Sequence, residues 1–428
     1  MQKTGKRLAI IGTGIAGLSA AWLLRDRYDI VVFESAPRAG MGAHKVDYES
    51  KGVTTRIDIP LRIFCRGYYA NLMALYDHIG VEMRTSDHAG VFADHKGRVV
   101  FHYGNLRMGS THLSYLKPDN TLSGDPWRIA LYSRKFFRQA QRDAENSDSL
   151  ASLTFAEYLH QRQVPSLLTE TILLPMLSAT CTCDYNSVLS YPADIMLGYL
   201  GGGIHNFGVM SATGGVDDIV PRLLNGADLK TSCPVADVSE TLEGLTVTTR
   251  AGDSEQFDHV IVASQAQQAA SLLVGFEEHT RLLEKIPFER STMSVHTDRD
   301  ILPRSLTPIS PVSYMLPGDG QRAQVSVDLT RAFNRFRRQS TVFQTWNPMR
   351  DPAEGKELAR VDFTRPVVTH ASREAVRALQ KLQQRDDNRL WFCGSYMTER
   401  VPLLDAAVDA SMVVAERLGA SIPWKTPG

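Results

Sequence analysis

The sequence predicts an α/β fold built around a parallel sheet, and three observations carry that prediction. The chain opens on a short apolar run, Arg7 to Ile11, followed by a glycine-rich turn and a helical pattern. A second apolar run, Ile30 to Phe33, ends on the acidic Glu34. Two more runs, Asp258 to Ser264 and Leu390 to Ser395, lie far downstream, the latter just ahead of a last helical pattern. Runs that are apolar on consecutive residues fit strands covered on both faces.

At 428 residues the chain is long enough for two or three domains, taking ~150 residues for each. Hydrophobic residues make up 43%, charged residues 22% and aromatic residues 8%. Those proportions describe a globular protein with a substantial core and exclude disordered, collagenous and disulfide-rich classes. Lys plus Arg and Asp plus Glu each number 47, so the formal net charge is zero. Nucleic acid is therefore not an expected partner, because phosphate neutralisation needs a basic excess. The five cysteines fit a reducing compartment better than a disulfide framework, and a cytoplasmic location is expected. The uncharged stretch Leu8 to Leu24 follows Lys3, Lys6 and Arg7, but Gly12, Thr13, Gly14, Gly17 and Ser19 dilute it. It also falls short of the ~20 residues of a spanning helix, so no transmembrane segment is expected.

The opening unit has the order strand, glycine turn, helix, strand, acid. Gly12 permits the tight turn, Gly14 lets the backbone approach a pyrophosphate, and Gly17 allows close helix–strand packing. Ile15 and Ala16 lie in the turn as candidate cofactor contacts, and the N-terminus of the helix read over Leu18 to Arg25 offers free backbone N–H groups and a positive dipole end to a diphosphate. Glu34, about 20 residues after the first glycine, is placed to accept hydrogen bonds from the ribose hydroxyls of an adenosine. An acid there repels a 2′-phosphate, which disfavours NADP and leaves FAD or NAD.

Later segments separate those two. Arg38, Gly40 and Gly42 lie just beyond the second strand. Gly214-Gly215 opens a block that runs through an amphipathic helix (Asp217 to Leu224), Pro234 to Val238 and a strand at Leu245 to Thr249 into Asp258 to Ser264. Leu390 to Ser395 is followed by Asp405 to Ser411, the start of the last helix. This arrangement resembles the flavin-containing amine oxidase and phytoene desaturase superfamily, whose flavin domain is assembled from three separated stretches. The resemblance implies FAD as the cofactor. It places Ser35, Arg38, Gly40, Gly42 and Ala43 at a second phosphate-contacting turn, and Pro60, Leu61 and Arg62 where a turn approaches the flavin. Val235 would lend its backbone to the adenine, with Ala263 at the end of the returning strand. Gly394, Ser395, Asp405, Ala406, Ala407 and Val408 would close over the pyrophosphate, ribityl chain and ring.

Within the superfamily the strongest likeness is to a bacterial subgroup of predicted NAD/FAD-binding proteins. It rests on Tyr69-Ala70-Asn71-Leu72, Ile79-Gly80-Val81, Leu174-Pro175-Met176, Tyr191-Pro192-Ala193, His296-Thr297-Asp298, Trp346-Asn347-Pro348 and Cys393-Gly394-Ser395. The chain departs from the pattern in several places. Met41 separates Gly40 from Gly42, Lys45 follows His44 in place of a neutral residue, an Asp-x-Gly turn becomes Asp58-Ile59-Pro60, and a His-Glu-Asp-Gly stretch becomes Leu403 to Ala407. Met293 falls where many amine oxidases carry a lysine that holds a water over the flavin. The scaffold is kept while the residues facing the ring are rewritten, which weighs against a typical amine oxidase.

Residues 1–100, 208–265 and 386–428 are accordingly expected to form a discontinuous Rossmann-like FAD-binding domain. Residues 101–207 and 266–385 are expected to form an interleaved α+β substrate-binding domain. Helical spacing marks Pro126 to Ala144 and Ser152 to Leu174, the latter broken at Pro165, and Arg373 to Gln383. In this setting Arg62 is a candidate for a fixed positive charge near the ring, or else for an ion pair with Asp58. His205 is a candidate acid/base or a structural histidine. Cys181 and Cys183 read as packed residues near the substrate pocket, because no second Cys or His pair stands at metal-ligand spacing and no metal is expected. Trp346 and Tyr396 are candidates to line the flavin or substrate pocket or to fill the core. Arg331, Arg335, Arg337 and Arg338 form either a solvated face or a patch for an anionic group.

The function expected from these residues is FAD-dependent dehydrogenation of a small organic, lipid-like or secondary-metabolite substrate, with hydride passing to flavin. The alternatives are amine oxidation to an imine with release of hydrogen peroxide, and a FAD-binding protein with a structural or non-redox (isomerase or cyclase) role. NAD(P)H-linked monooxygenation is weakened by the lack of a second glycine fingerprint. Oligomeric state is not legible in the sequence.

Overall fold

Five short apolar strands form the expected parallel sheet. Strand β1 (Arg7–Ile11) pairs with β2 (Asp29–Phe33) on one side and with His259–Val262 on the other. Asp228–Lys230 and Leu390–Phe392 complete the two edges, every neighbour being parallel. Leu8, Ala9, Ile10, Val260, Ile261 and Val262 are fully buried, as strands covered on both faces must be. The computed structural model describes residues 4–41, 44–108, 111–117, 124–202, 208–303, 310–318, 321–333, 336–337 and 339–425.

Helix α1 (Ile15–Leu24) is buried along its whole length, because the sheet covers one side and the Leu404–Arg417 helix another. The polar exception inside this contact is self-satisfied: Ser19 Oγ meets Ser411 Oγ at 2.6 Å and donates to the Ile15 carbonyl at 2.6 Å. Left unpaired, such a hydroxyl costs about 1–3 kcal/mol.

The second large sheet has eight strands in the order Glu357–Pro366, Phe288–His296, Phe343–Trp346, Gln324–Asp328, Val312–Met315, Gly90–Ala93, Val99–Met108, Thr111–Leu116. Gly90–Ala93 lies within the first stretch grouped with the flavin domain on sequence, yet it pairs here, parallel to Val312–Met315. Along Glu357–Pro366, Arg360, Asp362 and Thr364 are exposed, while Ala359, Val361, Phe363 and Arg365 are half-buried on the inner face.

The helical layer follows the predicted spacing. Gly124–Ala144 is one helix. The second pattern does break at Pro165, into Phe155–Gln161 and a segment that resumes at Ser166. That segment passes through a π turn, Thr169–Leu173, into the helix Leu174–Cys181. Pro175 explains the wide turn: it has no N–H to give to the carbonyl four residues earlier, and its ring needs the extra room.

Asp298, which follows the strand Phe288–His296, is fully buried. It accepts from Lys356 Nζ at 3.0 Å, Ala353 N at 3.0 Å and Asp300 N at 3.1 Å. Burial pushes the carboxyl up, but these donors override it and hold the pKa at about 2, against 3.8 ordinarily. A depressed carboxyl stabilises fully above its unfolded pKa and loses that contribution as pH falls through its folded one. Stability worth about 2 kcal/mol should therefore disappear between about pH 4 and pH 2. Thermal melts of Asp298→Asn across this range should show a lower Tm at neutral pH and a shallower acid-side loss than the parent.

Candidate active site

A cavity of about 1830 Å³ runs from the end of β1 to the inner face of the eight-stranded sheet. Ordinary ligand pockets span roughly 300–1,000 Å³. This one has room for a dinucleotide and a second molecule.

Its nucleotide end is the glycine turn. Gly12 has φ +105°, and a Cβ there would meet the Ala263 carbonyl oxygen at 3.3 Å. A Cβ on Gly17 would fall 2.1 Å from the Gly12 carbonyl oxygen. At Gly14 the nearest atom is the Ala263 oxygen at 3.8 Å, so the space above this residue is open cavity. Gly12, Gly14, Ile15 and Ala16 all line the cavity, and no side chain caps the helix that starts there. Its first N–H groups and its positive dipole end are free for an anion.

Glu34 stands beside this turn. Its Oε2 accepts from Thr13 N at 3.0 Å and from the Thr13 hydroxyl, and its Oε1 accepts from Ala36 N at 2.8 Å. The carboxylate is thereby fixed at the cavity wall with Ser35 and Val235 as lining neighbours. Ala263, Gly394, Ser395 and Ala407 line the same space. So do Pro60, Leu61 and Arg62 from the turn after Val53–Ile59.

Arg62 is held by one bond, from Nη2 to the Met41 carbonyl at 2.9 Å, and Met41 N in turn donates to Thr13 O at 2.8 Å. Its Nη1 is buried with no partner. Burial pushes the guanidinium pKa down, opposed by Tyr76 and Asp58. Asp58 does not form the ion pair considered on sequence: its carboxylate accepts from Val216 N at 3.1 Å. A cradle that a Cβ would fill, a carboxylate fixed next to it and a buried guanidinium nitrogen without a partner together fit a bound FAD.

Other residues singled out on sequence stand elsewhere. Gly17 packs behind the turn. Arg38 is exposed and Gly40 half-buried, both off the cavity lining. Asp405, Ala406 and Val408 are buried but do not line it. The Asp405 carboxylate accepts from Leu72 N at 2.7 Å and Arg400 Nη1 at 2.6 Å, clasping two helices together. Cys181 is buried between Thr180 and Thr182, and it is these two that reach the cavity. Trp346 and Tyr396 line it. Arg331 is exposed beside Asp328, at 3.4 Å, and Arg337 sits in the following turn. Gly42, Ala43, His205, Arg335 and Arg338 lie outside the described residues.

The far lobe is aromatic. Phe92 stacks on Tyr314 at 4.4 Å between centroids, and Trp346 meets Phe363 at 5.5 Å. Met293 reaches this wall directly across from Trp346 in the strand pairing. Among the described residues no lysine lines the cavity. Among the lining residues that the sequence did not single out is Arg365, on the inner face of its strand. Its signal was an arginine in phase with Val361 and Phe363, where alternation calls for an apolar residue.

The sequence profile described as flavin containing amine oxidoreductase matches residues 15–305. The chain belongs to that family. It is thus a FAD-dependent oxidoreductase, and the parallel-sheet α/β fold expected from its sequence is the family's FAD-binding fold. An engineered putrescine oxidase has 12% identity to this oxidoreductase and a TM-score of 0.66, covering 97% of this chain and 98% of its own. Cyclohexylamine oxidase from Brevibacterium oxydans has 14% identity and a TM-score of 0.64, with 97% and 99% covered. A CLA-producing fatty acid isomerase from P. acnes has 11% identity and a TM-score of 0.69, again with 97% and 99% covered. At these identities the likeness is one of fold. No curated protein matches the chain.

Proposed function

We propose that this oxidoreductase dehydrogenates a small, predominantly apolar substrate at carbon, in the desaturase manner. The observation that carries this reading is the cavity itself, continuous from the glycine cradle to an aromatic lobe that, among the described residues, offers no lysine and no uncommitted carboxylate. Bound FAD supplies the two-electron acceptor. The residues of the chain bind, orient and exclude water. In this reading Gly12, Gly14 and the N–H groups of α1 hold the diphosphate, and Glu34 holds the ribose. Val235, Ala263, Gly394, Ser395 and Ala407 form the remaining wall, and Arg62 sets a positive charge where negative charge accumulates on reduction. Trp346, Phe363 and Tyr396 hold the substrate and keep water away. We assign the flavin-binding lobe to residues 1–100, 208–265 and 386–428, apart from the strand Gly90–Ala93 that pairs in the eight-stranded sheet, and the substrate lobe to 101–207 and 266–385. A cytoplasmic setting accompanies this reading. Among the described residues no helix is long and apolar enough to cross a membrane.

Amine oxidation is the second reading, favoured by the family and by the putrescine and cyclohexylamine oxidases that share its fold. The cavity's electrostatics weigh against it. Arg62 and Arg365 on its wall repel an ammonium, and the three carboxylates among the described lining residues are engaged: Glu34 by Thr13, Asp87 by Ala89 N at 2.9 Å, and Asp362 by Arg290 and Thr292. A non-redox role stands third, and a fatty acid isomerase shares the fold. Anaerobic addition of a turned-over substrate separates the three. Desaturation predicts bleaching of the visible flavin band without peroxide formation from amines. Peroxide release with a primary or secondary amine in air reverses the first two readings, and turnover without bleaching selects the third.

A further inference from the structure

Arg365 has no role in the site as described so far. It is the penultimate residue of the Glu357–Pro366 strand and faces the cavity in phase with Val361 and Phe363. Its side chain makes no ion pair or hydrogen bond with any other described residue, and the groups that sense its charge are Arg62, Tyr69, Cys181 and Tyr191. Burial and the nearby Arg62 both disfavour its positive charge. A guanidinium in a low-dielectric wall without a partner is costly, and a second cation on the same wall makes it more so. The arrangement lacks an anion.

The two arginines divide by origin. Arg62 is tied through Met41 to the glycine turn, on the nucleotide side. Arg365 comes from the substrate sheet, next to Phe363 and hence near Trp346. Arg134 and Arg138 from the Gly124–Ala144 helix are exposed lining residues, and neither pairs with a described carboxylate. Several cations lining one cavity favour entry of an anion. The planar guanidinium fork matches a carboxylate bidentately, and the aromatic lobe suits an apolar remainder.

We propose that Arg365 anchors a carboxylate of the substrate, so that this oxidoreductase acts on an organic acid with an apolar body. The proposal builds on the FAD-dependent reading above and narrows its substrate class.

The test uses flavin-loaded protein and two matched probe pairs, octanoate with octanamide and benzoate with benzamide. Each is titrated against the visible flavin spectrum and against Tm. At least one acid should bind ~30-fold or more tightly than its amide. Arg365→Met should weaken acid binding ~100-fold, leave amide binding and flavin content as they were, and not lower Tm, because an unpaired charge is removed. Arg365→Lys, which keeps the charge but loses the fork, should fall between. Acids that bind no better than their amides overturn the proposal, as do acids that do not bind at all. So does a folded, flavin-loaded Arg365→Met protein with unchanged acid affinity. Flavin content is read before each titration, so a colourless protein refutes the cofactor reading, whereas a yellow protein blind to carboxylates refutes only the anchor.

Discussion

Gly17→Ala is expected to yield a protein that retains little or no flavin and melts well below the parent. The added methyl would lie 2.1 Å from the Gly12 carbonyl oxygen and 3.1 Å from the Ala263 Cβ. Both obstacles are fixed, the first being backbone in the turn and the second the end of the strand beside β1. Helix α1 cannot retreat, since it is buried along its whole length and bonded through Ser19 to Ser411. Overpacking of this kind costs about 3 kcal/mol or more, and here the displaced atoms are the ones proposed to contact the diphosphate. Gly14→Ala is the contrasting case. Its methyl meets nothing closer than 3.8 Å, so the empty protein should melt as the parent does while the filled cradle weakens FAD binding. The ratio of visible to ultraviolet absorbance, with Tm of the stripped protein, distinguishes the two. Equal behaviour of both variants would mean the turn does not approach the cofactor.

Arg62→Met is expected to keep the flavin and slow its reduction. Nη1 of Arg62 is buried without a partner, and the side chain is positioned through Met41 against the glycine turn. A fixed cation of this sort stabilises negative charge that develops on two-electron reduction, and removing one such group typically slows the step about 100-fold. The sign for the potential follows: without the cation the reduced state loses stabilisation and the midpoint potential falls. Arg62→Lys should restore part of both effects. Anaerobic stopped-flow reduction and a potentiometric titration read them, and Tm should fall only slightly, because no ion pair is broken and only the bond to the Met41 carbonyl is lost. Unchanged potential and rate would return Arg62 to a packing role.

The opening unit was legible because its signals are local. Apolar strands, a glycine turn and an acid closing β2 are each set by neighbours within a few residues; the strand bounds differ from the expected ones by at most one residue, while the helix, expected from Leu18, begins three residues earlier at Ile15. The break at Pro165 was legible for the same reason. What escaped depends on partners distant in the chain. Asp405 reads as a helix-start acid available to a cofactor, yet its donors, Leu72 and Arg400, commit it to joining helices, the first of them from 333 residues away. Gly90–Ala93 falls in a stretch otherwise given to the flavin lobe, but its strand partner lies near residue 312. Around Cys181 the residue types suggested a pocket, whereas helix geometry turns Thr180 and Thr182 to the cavity and the sulfur into the core. Arg365 carried a readable sign, a charge in phase with apolar residues, whose meaning emerges only when the strand is seen to line a cavity in which no described carboxylate pairs with it.

Everything in this account requires FAD against the β1–α1 turn, and the most direct test is the visible absorption spectrum of the purified protein, followed by identification of what denaturation releases. The account predicts a flavin spectrum and release of FAD, in stoichiometric amount and without proteolysis. A protein that is colourless as isolated and remains so after incubation with FAD, while melting cooperatively, would contradict it.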